Sequence, residues 1–202
     1  MSRVICQRCQ KPQVSCICQL FVAVDNDIDV IVLQHPSEVK QNKGSVTLLK
    51  ESLSHCTVIQ GEVFSDNAMY QALVTDLSAE TALLYPSDKA VLANELTMIS
   101  AQEATTKVQI KRLILLDGTW KKAYRMYMSN PALHDLNHLT LPDDIECMYE
   151  ARSTKKKGAL STLEAACHAL SQLEYNAIKY QPLLHSFKRF NQQLLANRPP
   201  LS

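Results

Sequence analysis

Glycine is scarce in this chain, with four in 202 residues, and proline contributes only eight. Together with 46% hydrophobic and 20% charged residues, this excludes fibrous and low-complexity disordered classes and leaves an ordinary globular composition. Apolar runs long enough for a membrane span are missing, and residues 1–10 lack the apolar core of a secretory signal. A cytoplasmic protein with no membrane attachment is the expectation. Excess charge of either sign is absent too: 21 Lys and Arg against 20 Asp and Glu leave a formal charge of +1. Any contact with nucleic acid must therefore come from a local basic patch. There is no P-loop, no GxGxxG turn and no nucleophile elbow. The length suits one domain with at most a small appendage.

Cysteine is not lacking. Four of the seven fall in the pattern Cys6-x2-Cys9-x6-Cys16-x1-Cys18. In a reducing compartment such a cluster points to a metal rather than to disulfides. Four thiolates suit a closed tetrahedral Zn²⁺ site, which organises a segment too short for its own core and leaves no open position for a substrate. The alternative is four free thiols in a flexible N-terminus. The predicted division is a zinc-binding lobe over residues 1–24 and an α/β domain over 25–202, with Arg8 and Lys11 offering the lobe a contact to RNA. Cys56, Cys147 and Cys167 read as small core residues.

Apolar segments with strand character at residues 30–33, 57–60, 81–85, 111–116 and 138–141 alternate with helical patterns. These begin near Val46, Asn67, Trp120, Ser161 and Tyr175, the last with a kink at Pro182. The alternation predicts an α/β fold with a largely parallel sheet flanked by helices. Residues 113–116, four consecutive aliphatics, have the pattern of a strand buried on both faces. Asp117-Gly118 ends that strand, and Trp120, Ala123, Tyr124, Tyr127 and Met128 are spaced as the apolar face of the next helix. Asp117 then sits at the carboxyl end of a central strand, where open α/β sheets place their ligands. A plain strand-to-helix turn with an acidic residue near a helix N-terminus fits equally well. Ser161-Thr162-Leu163-Glu164 is a capping box opening a helix with Leu163, Ala166, Cys167 and Leu170 on one face. The amides at its start also suit a ligand carboxylate. The strongest basic run, from Arg152 through Lys155, Lys156 and Lys157, is either a solvated face or a set of phosphate contacts.

Asp117-Gly118-Thr119-Trp120 resembles the signature of the DTW-domain family, aminocarboxypropyltransferases that modify uridine in tRNA. Other parts of that pattern follow in order: the four-cysteine cluster, Gln34-His35-Pro36-Ser37-Glu38, Tyr85-Pro86-Ser87, and Leu160-Ser161-Thr162-Leu163-Glu164-Ala165. The resemblance covers residues 6–168 and departs at Asn42-Lys43-Gly44-Ser45, where family members commonly carry Asn-Thr. It implies transfer of the 3-amino-3-carboxypropyl group of S-adenosylmethionine (SAM) to N3 of a uridine in tRNA, with methylthioadenosine as by-product. A SPOUT-like knotted core is implied with it. Tyr85, Pro86, Ser87, Leu116, Asp117, Gly118, Thr119, Leu160, Ser161, Thr162 and Glu164 would form the SAM site. Asp117 would take or orient the N3 proton, or act on the cationic sulfonium electrostatically; Trp120 either walls the pocket or belongs to the core. Lys121, Lys122, Arg125, Arg152, Lys155, Lys156 and Lys157 would meet the RNA. The other readings are rRNA-directed aminocarboxypropyl transfer, methyl transfer, and a non-catalytic zinc-containing RNA-binding module.

Overall fold

The computed structural model describes residues 4–41, 43–75, 78–93, 95, 109–145 and 160–196. In chain order the elements are β1 (Asp29–Gln34), α1 (Val46–Ser52), β2 (Cys56–Gln60), α2 (Ala68–Thr75), β3 (Thr81–Leu84), β4 (Val91–Leu92), β5 (Arg112–Asp117), α3 (Trp120–Ser129), β6 (Asn137–Thr140), α4 (Thr162–Leu173) and α5 (Gln181–Ala196). The strands form one sheet in the order β2-β1-β5-β3-β6-β4, and every neighbouring pair is parallel. The expected α/β class with a parallel sheet is what the chain adopts.

Alternation along the strands explains the layers. Val30, Val32, Leu113 and Leu115 face α1, α4 and α5, packing with Leu48, Leu49, Leu163, Ala166, Leu170, Phe187 and Phe190. Ile31, Leu33, Leu83 and Ile114 point the other way and pack with Phe64, Tyr70, Met126 and Leu133. Burying one such side chain contributes about 1.5–3 kcal/mol, so a sheet covered on both sides needs the near-continuous aliphatic strands found here. Because all six strands run in one direction, Gln34, Leu84, Asp117 and Thr140 end at the same edge of the sheet.

Two expectations change in the structure. The inward face of α3 is made by Ala123 and Met126, while Trp120, Tyr124 and Met128 stand outward. The last helix starts at Gln181 rather than near Tyr175, whose φ of 51° breaks the backbone. Pro182 thus lies in the first turn of α5, where its missing N–H costs nothing, and does not kink it.

The cysteine-rich segment packs on the main core. Ile17 and Leu20 belong to the same cluster as Phe187 and Phe190, the Ser186 hydroxyl donates to the Leu20 carbonyl, and Gln193 Nε2 donates to the Cys16 carbonyl at 3.3 Å. Among the described residues no helix is long and apolar enough to cross a membrane.

Candidate active site

Asp117 is the last residue of β5 and lies in register with Gln34, the last residue of β1. Gln34 Nε2 donates to Asp117 Oδ2 at 2.9 Å, and Thr162 Oγ1 donates to Asp117 Oδ1 at 2.6 Å. The carboxylate thus bridges the neighbouring strand and the first residue of α4. Gly118 follows because space is short: a Cβ there would lie 3.0 Å from Lys122 Cβ and 3.7 Å from His35 Cβ. Thr119 then caps α3, its hydroxyl accepting from the Lys122 amide at 3.4 Å.

These residues border a cleft of about 950 Å³ at the strand ends, near the upper end of small-molecule sites, which span roughly 300–1,000 Å³. Of the residues assigned to SAM from the sequence, Tyr85, Pro86, Leu116, Asp117, Gly118, Thr119, Leu160, Ser161 and Thr162 line it, and Trp120, Lys121 and Lys122 lie at its wall. Ser87 and Glu164 do not. Ser87 Oγ is 2.5 Å from His138 Nδ1, while His138 Nε2 lies 2.9 Å from the Leu133 carbonyl and serves as its donor. Burial holds that imidazole below its ordinary pKa. Glu164 is fully buried and completes the predicted capping box: its Oε2 accepts from the Ser161 amide at 2.8 Å, and Ser161 Oγ accepts from the Glu164 amide at 3.2 Å. The box leaves the Thr162 and Leu163 amides without an acceptor among the described residues.

The cleft also has walls that the sequence reading did not assign. Glu38, Gln41 and Lys43–Ser45 form one side, and Leu139, Thr140 and Leu141 another. Glu38 accepts from Lys122 Nζ at 2.6 Å, tying the loop after β1 to α3. Tyr85 stacks on Tyr127 with ring centroids 4.5 Å apart and planes 17° apart, which fixes it as a flat wall. His35 lies behind the site, its Nε2 2.9 Å from Glu62, which also pairs with Arg125 at 3.5 Å. Gln34 carried one legible signal, an amide ending an otherwise apolar strand. Nothing local marked the Leu139–Leu141 wall. Arg152, Lys155, Lys156 and Lys157 lie outside the described residues.

At the N-terminus, the Sγ atoms of Cys6, Cys9, Cys16 and Cys18 all lie within 4.8 Å of one another. Two of the spacings are 3.6 Å (Cys6 to Cys18) and 3.7 Å (Cys9 to Cys16). A tetrahedron with Zn–S bonds of about 2.3 Å has S–S edges of about 3.8 Å. The four thiols therefore fit one metal ion. The backbone amides of Cys9 and Arg8 pull the Cys6 thiol down to about 6, whereas burial pushes Cys18 up to about 12.

The DTW domain model matches residues 3–195. The chain belongs to the DTW-domain family. Among curated relatives of this DTW protein, "tRNA-uridine aminocarboxypropyltransferase 2" of Drosophila melanogaster is 34% identical over 174 residues, which are 84% of this chain and 66% of the relative. The protein of the same name from Macaca fascicularis is 30% identical over 183 residues, 89% of this chain and 59% of its own length. "tRNA-uridine aminocarboxypropyltransferase A" of Arabidopsis thaliana is 27% identical over 194 residues, 85% of this chain and 73% of that protein. The DTW chain thus spans about three fifths to two thirds of the length of the first two relatives. No solved structure matches it.

Proposed function

We propose that this DTW protein transfers the 3-amino-3-carboxypropyl group of SAM to N3 of a uridine in tRNA, releasing methylthioadenosine. One observation carries the reading most: the signature carboxylate of Asp117 sits at the parallel strand ends, at the border of a cleft large enough for a nucleoside-sized donor. The relatives' names supply the reaction class. The lining fits the donor in kind. Leu84, Tyr85, Leu139 and Leu141 offer flat or apolar surface for an adenosine. The amides of Thr162 and Leu163 suit a carboxylate.

SAM supplies a cationic sulfonium that activates its attached carbons. The remaining work falls to the chain. Gln34 and Thr162, two donors among the described residues, fix the Asp117 carboxylate in place. The geometry therefore favours Asp117 as an electrostatic and positioning group over Asp117 as the base that strips N3. The uridine N3 loses its proton to water and forms the new N–C bond as the S–C bond breaks. Trp120 walls the cleft at the point where α3 begins, and Lys121, Lys122, Arg125 and the 152–157 run serve the RNA backbone. We further propose a SPOUT-like knotted core, with α4 returning to close on β5 through the Thr162–Asp117 contact. The site held by Cys6, Cys9, Cys16 and Cys18 is read as a structural Zn²⁺ site, residues 1–24 as its lobe, and the protein as cytoplasmic.

The test is a reaction of purified protein with SAM and tRNA, followed by nucleoside digestion and mass spectrometry. An aminocarboxypropyl uridine appearing with an equal amount of methylthioadenosine is expected. A methyl adduct, or modification of rRNA alone, would replace this reading.

A further inference from the structure

Helix α3 carries more apolar surface than its core contact uses. Ala123 and Met126 face the sheet, yet Trp120, Tyr124 and Met128 remain 56%, 57% and 50% exposed. They stand at i, i+4 and i+8, a line of large side chains spaced about 6 Å along the axis, four residues at 1.5 Å each. Isolated exposed apolar residues are ordinary; three in one line on a ten-residue helix are not. The line starts at the cleft, since Trp120 borders it. Tyr124 is one turn further out and does not line the cleft, but its phenol is felt there. Tyr85 in the cleft wall is pushed above its ordinary pKa by burial first, then by the phenols of Tyr127 and Tyr124.

The chemistry around the line identifies its occupant. Among the described residues, exposed Lys121 has no ion pair, and Arg125, 57% exposed, has one, to Glu62 at 3.5 Å. Two copies of this face brought together would set these cations against each other, which disfavours self-association. Unstacked bases flanked by phosphates match both features, because aromatic rings accept bases of any sequence and cations accept the backbone. A uridine can enter the cleft only from a strand whose neighbouring nucleotides lie outside, and α3 is the rim there.

We propose that Tyr124 is the stacking platform for a nucleotide adjacent to the modified uridine, with Met128 extending the platform and Lys121 and Arg125 holding the flanking phosphates. This rests on the reading of the cleft as a tRNA-uridine site. The test measures tRNA affinity at several salt concentrations for the parent, Tyr124→Ala, Tyr124→Phe and Lys121→Ala/Arg125→Ala, beside SAM affinity, thermal melting and sedimentation. Tyr124→Ala should weaken tRNA binding about 5- to 150-fold, the range for loss of one base–aromatic stack. Its slope of log K against log salt should stay parental, with SAM affinity intact, and Tyr124→Phe should restore affinity. The double cation variant should lower that slope by roughly 0.7–0.9 per lost contact. Parental affinity in Tyr124→Ala, or equal loss in Tyr124→Phe, overturns the platform while leaving the proposed function standing. A parent dimer that dissociates in Tyr124→Ala reassigns the face to a second copy. A parent that binds no tRNA at all removes the functional reading and the platform together.

Discussion

Replacing Asp117 by Asn preserves the shape of the side chain and removes its charge. In the parent, Oδ2 accepts from Gln34 Nε2 at 2.9 Å and Oδ1 from Thr162 Oγ1 at 2.6 Å. The amide can keep its oxygen toward Gln34 and turn its nitrogen to Thr162, whose hydroxyl rotates to accept. Two charge-assisted bonds become neutral ones of about half the strength, so the expected loss of stability is only about 1–2 kcal/mol. The loss toward the donor is larger. A unit charge about 5 Å from a cationic sulfonium, at an effective dielectric of about 20, contributes about 3 kcal/mol, or roughly two decades in affinity. Because solvent in an open cleft screens part of this, Asp117→Asn should raise the SAM Kd by about 10- to 100-fold. A general base would behave differently, costing about 10²–10⁴ in rate with SAM affinity intact. Calorimetry with SAM beside single-turnover reaction on tRNA separates the two. Parental SAM affinity together with a parental rate would refute both roles and return Asp117 to a turn residue.

Purified protein should contain one zinc per chain, and Cys9→Ser should lose it. Because Ile17 and Leu20 share a cluster with Phe187 and Phe190, metal loss should lower the main unfolding transition and not merely fray the N-terminus; metal-free parent protein with an unchanged melt would contradict this. Replacing Lys155, Lys156 and Lys157 together by Ala should reduce the salt slope of tRNA binding by roughly 0.7–0.9 for each lost contact at unchanged SAM affinity, and identical slopes would mark the run as a solvated loop. Alkaline pH should destabilise the fold. Burial pushes Cys56 from 9.0 to about 12 and Tyr70 from 10.0 to about 12, so the unfolded chain releases these protons first and stability falls as pH rises from about 9 toward 12. The slope approaches about 1.4 kcal/mol per pH unit for each group the fold keeps protonated; urea unfolding of Cys56→Ala should show a shallower decline above pH 9, and an unchanged decline would rule Cys56 out.

Features written locally in the chain were legible. The aliphatic runs of β1 and β5 announce strands buried on both faces, and the Ser161 to Glu164 capping box forms as its spacing predicts. The strand order β2-β1-β5-β3-β6-β4 was not legible, because the side chains of an all-parallel sheet alternate alike whichever strand lies next door. For α3 the difficulty was specific. Ala123, Met126 and Tyr127 make one apolar stripe and Trp120, Tyr124 and Met128 another. Periodicity alone does not say which one meets a sheet, and the smaller residues won the core because they allow closer helix–sheet packing. Gln34, quoted only as part of a motif, was given no role at the site for a related reason. Its partner Asp117 is 83 residues away, and only the pairing of β1 with β5 brings the two together.

That pairing bears on the choice between a site and a turn. An acidic residue kept only to cap α3 would accept from the first amides of that helix. The cap is instead Thr119, whose hydroxyl accepts from the Lys122 amide. The Asp117 carboxylate turns away to Gln34 and Thr162, two residues that meet only at the strand ends. A strand-to-helix turn gains nothing from such an arrangement, since Gly118 and Thr119 already complete it. The two donors hold a negative charge at one place on the cleft border, and they come from β1 and α4, elements set by the core on one face of the sheet. Position of the charge is therefore coupled to packing: a change in how α4 docks on β5 moves Thr162, and with it Asp117. Thr162→Val tests that coupling, since the hydroxyl is lost while the volume is kept. If Asp117 acts through placement, this variant should weaken SAM binding although its own residue keeps its shape and the capping box its amides.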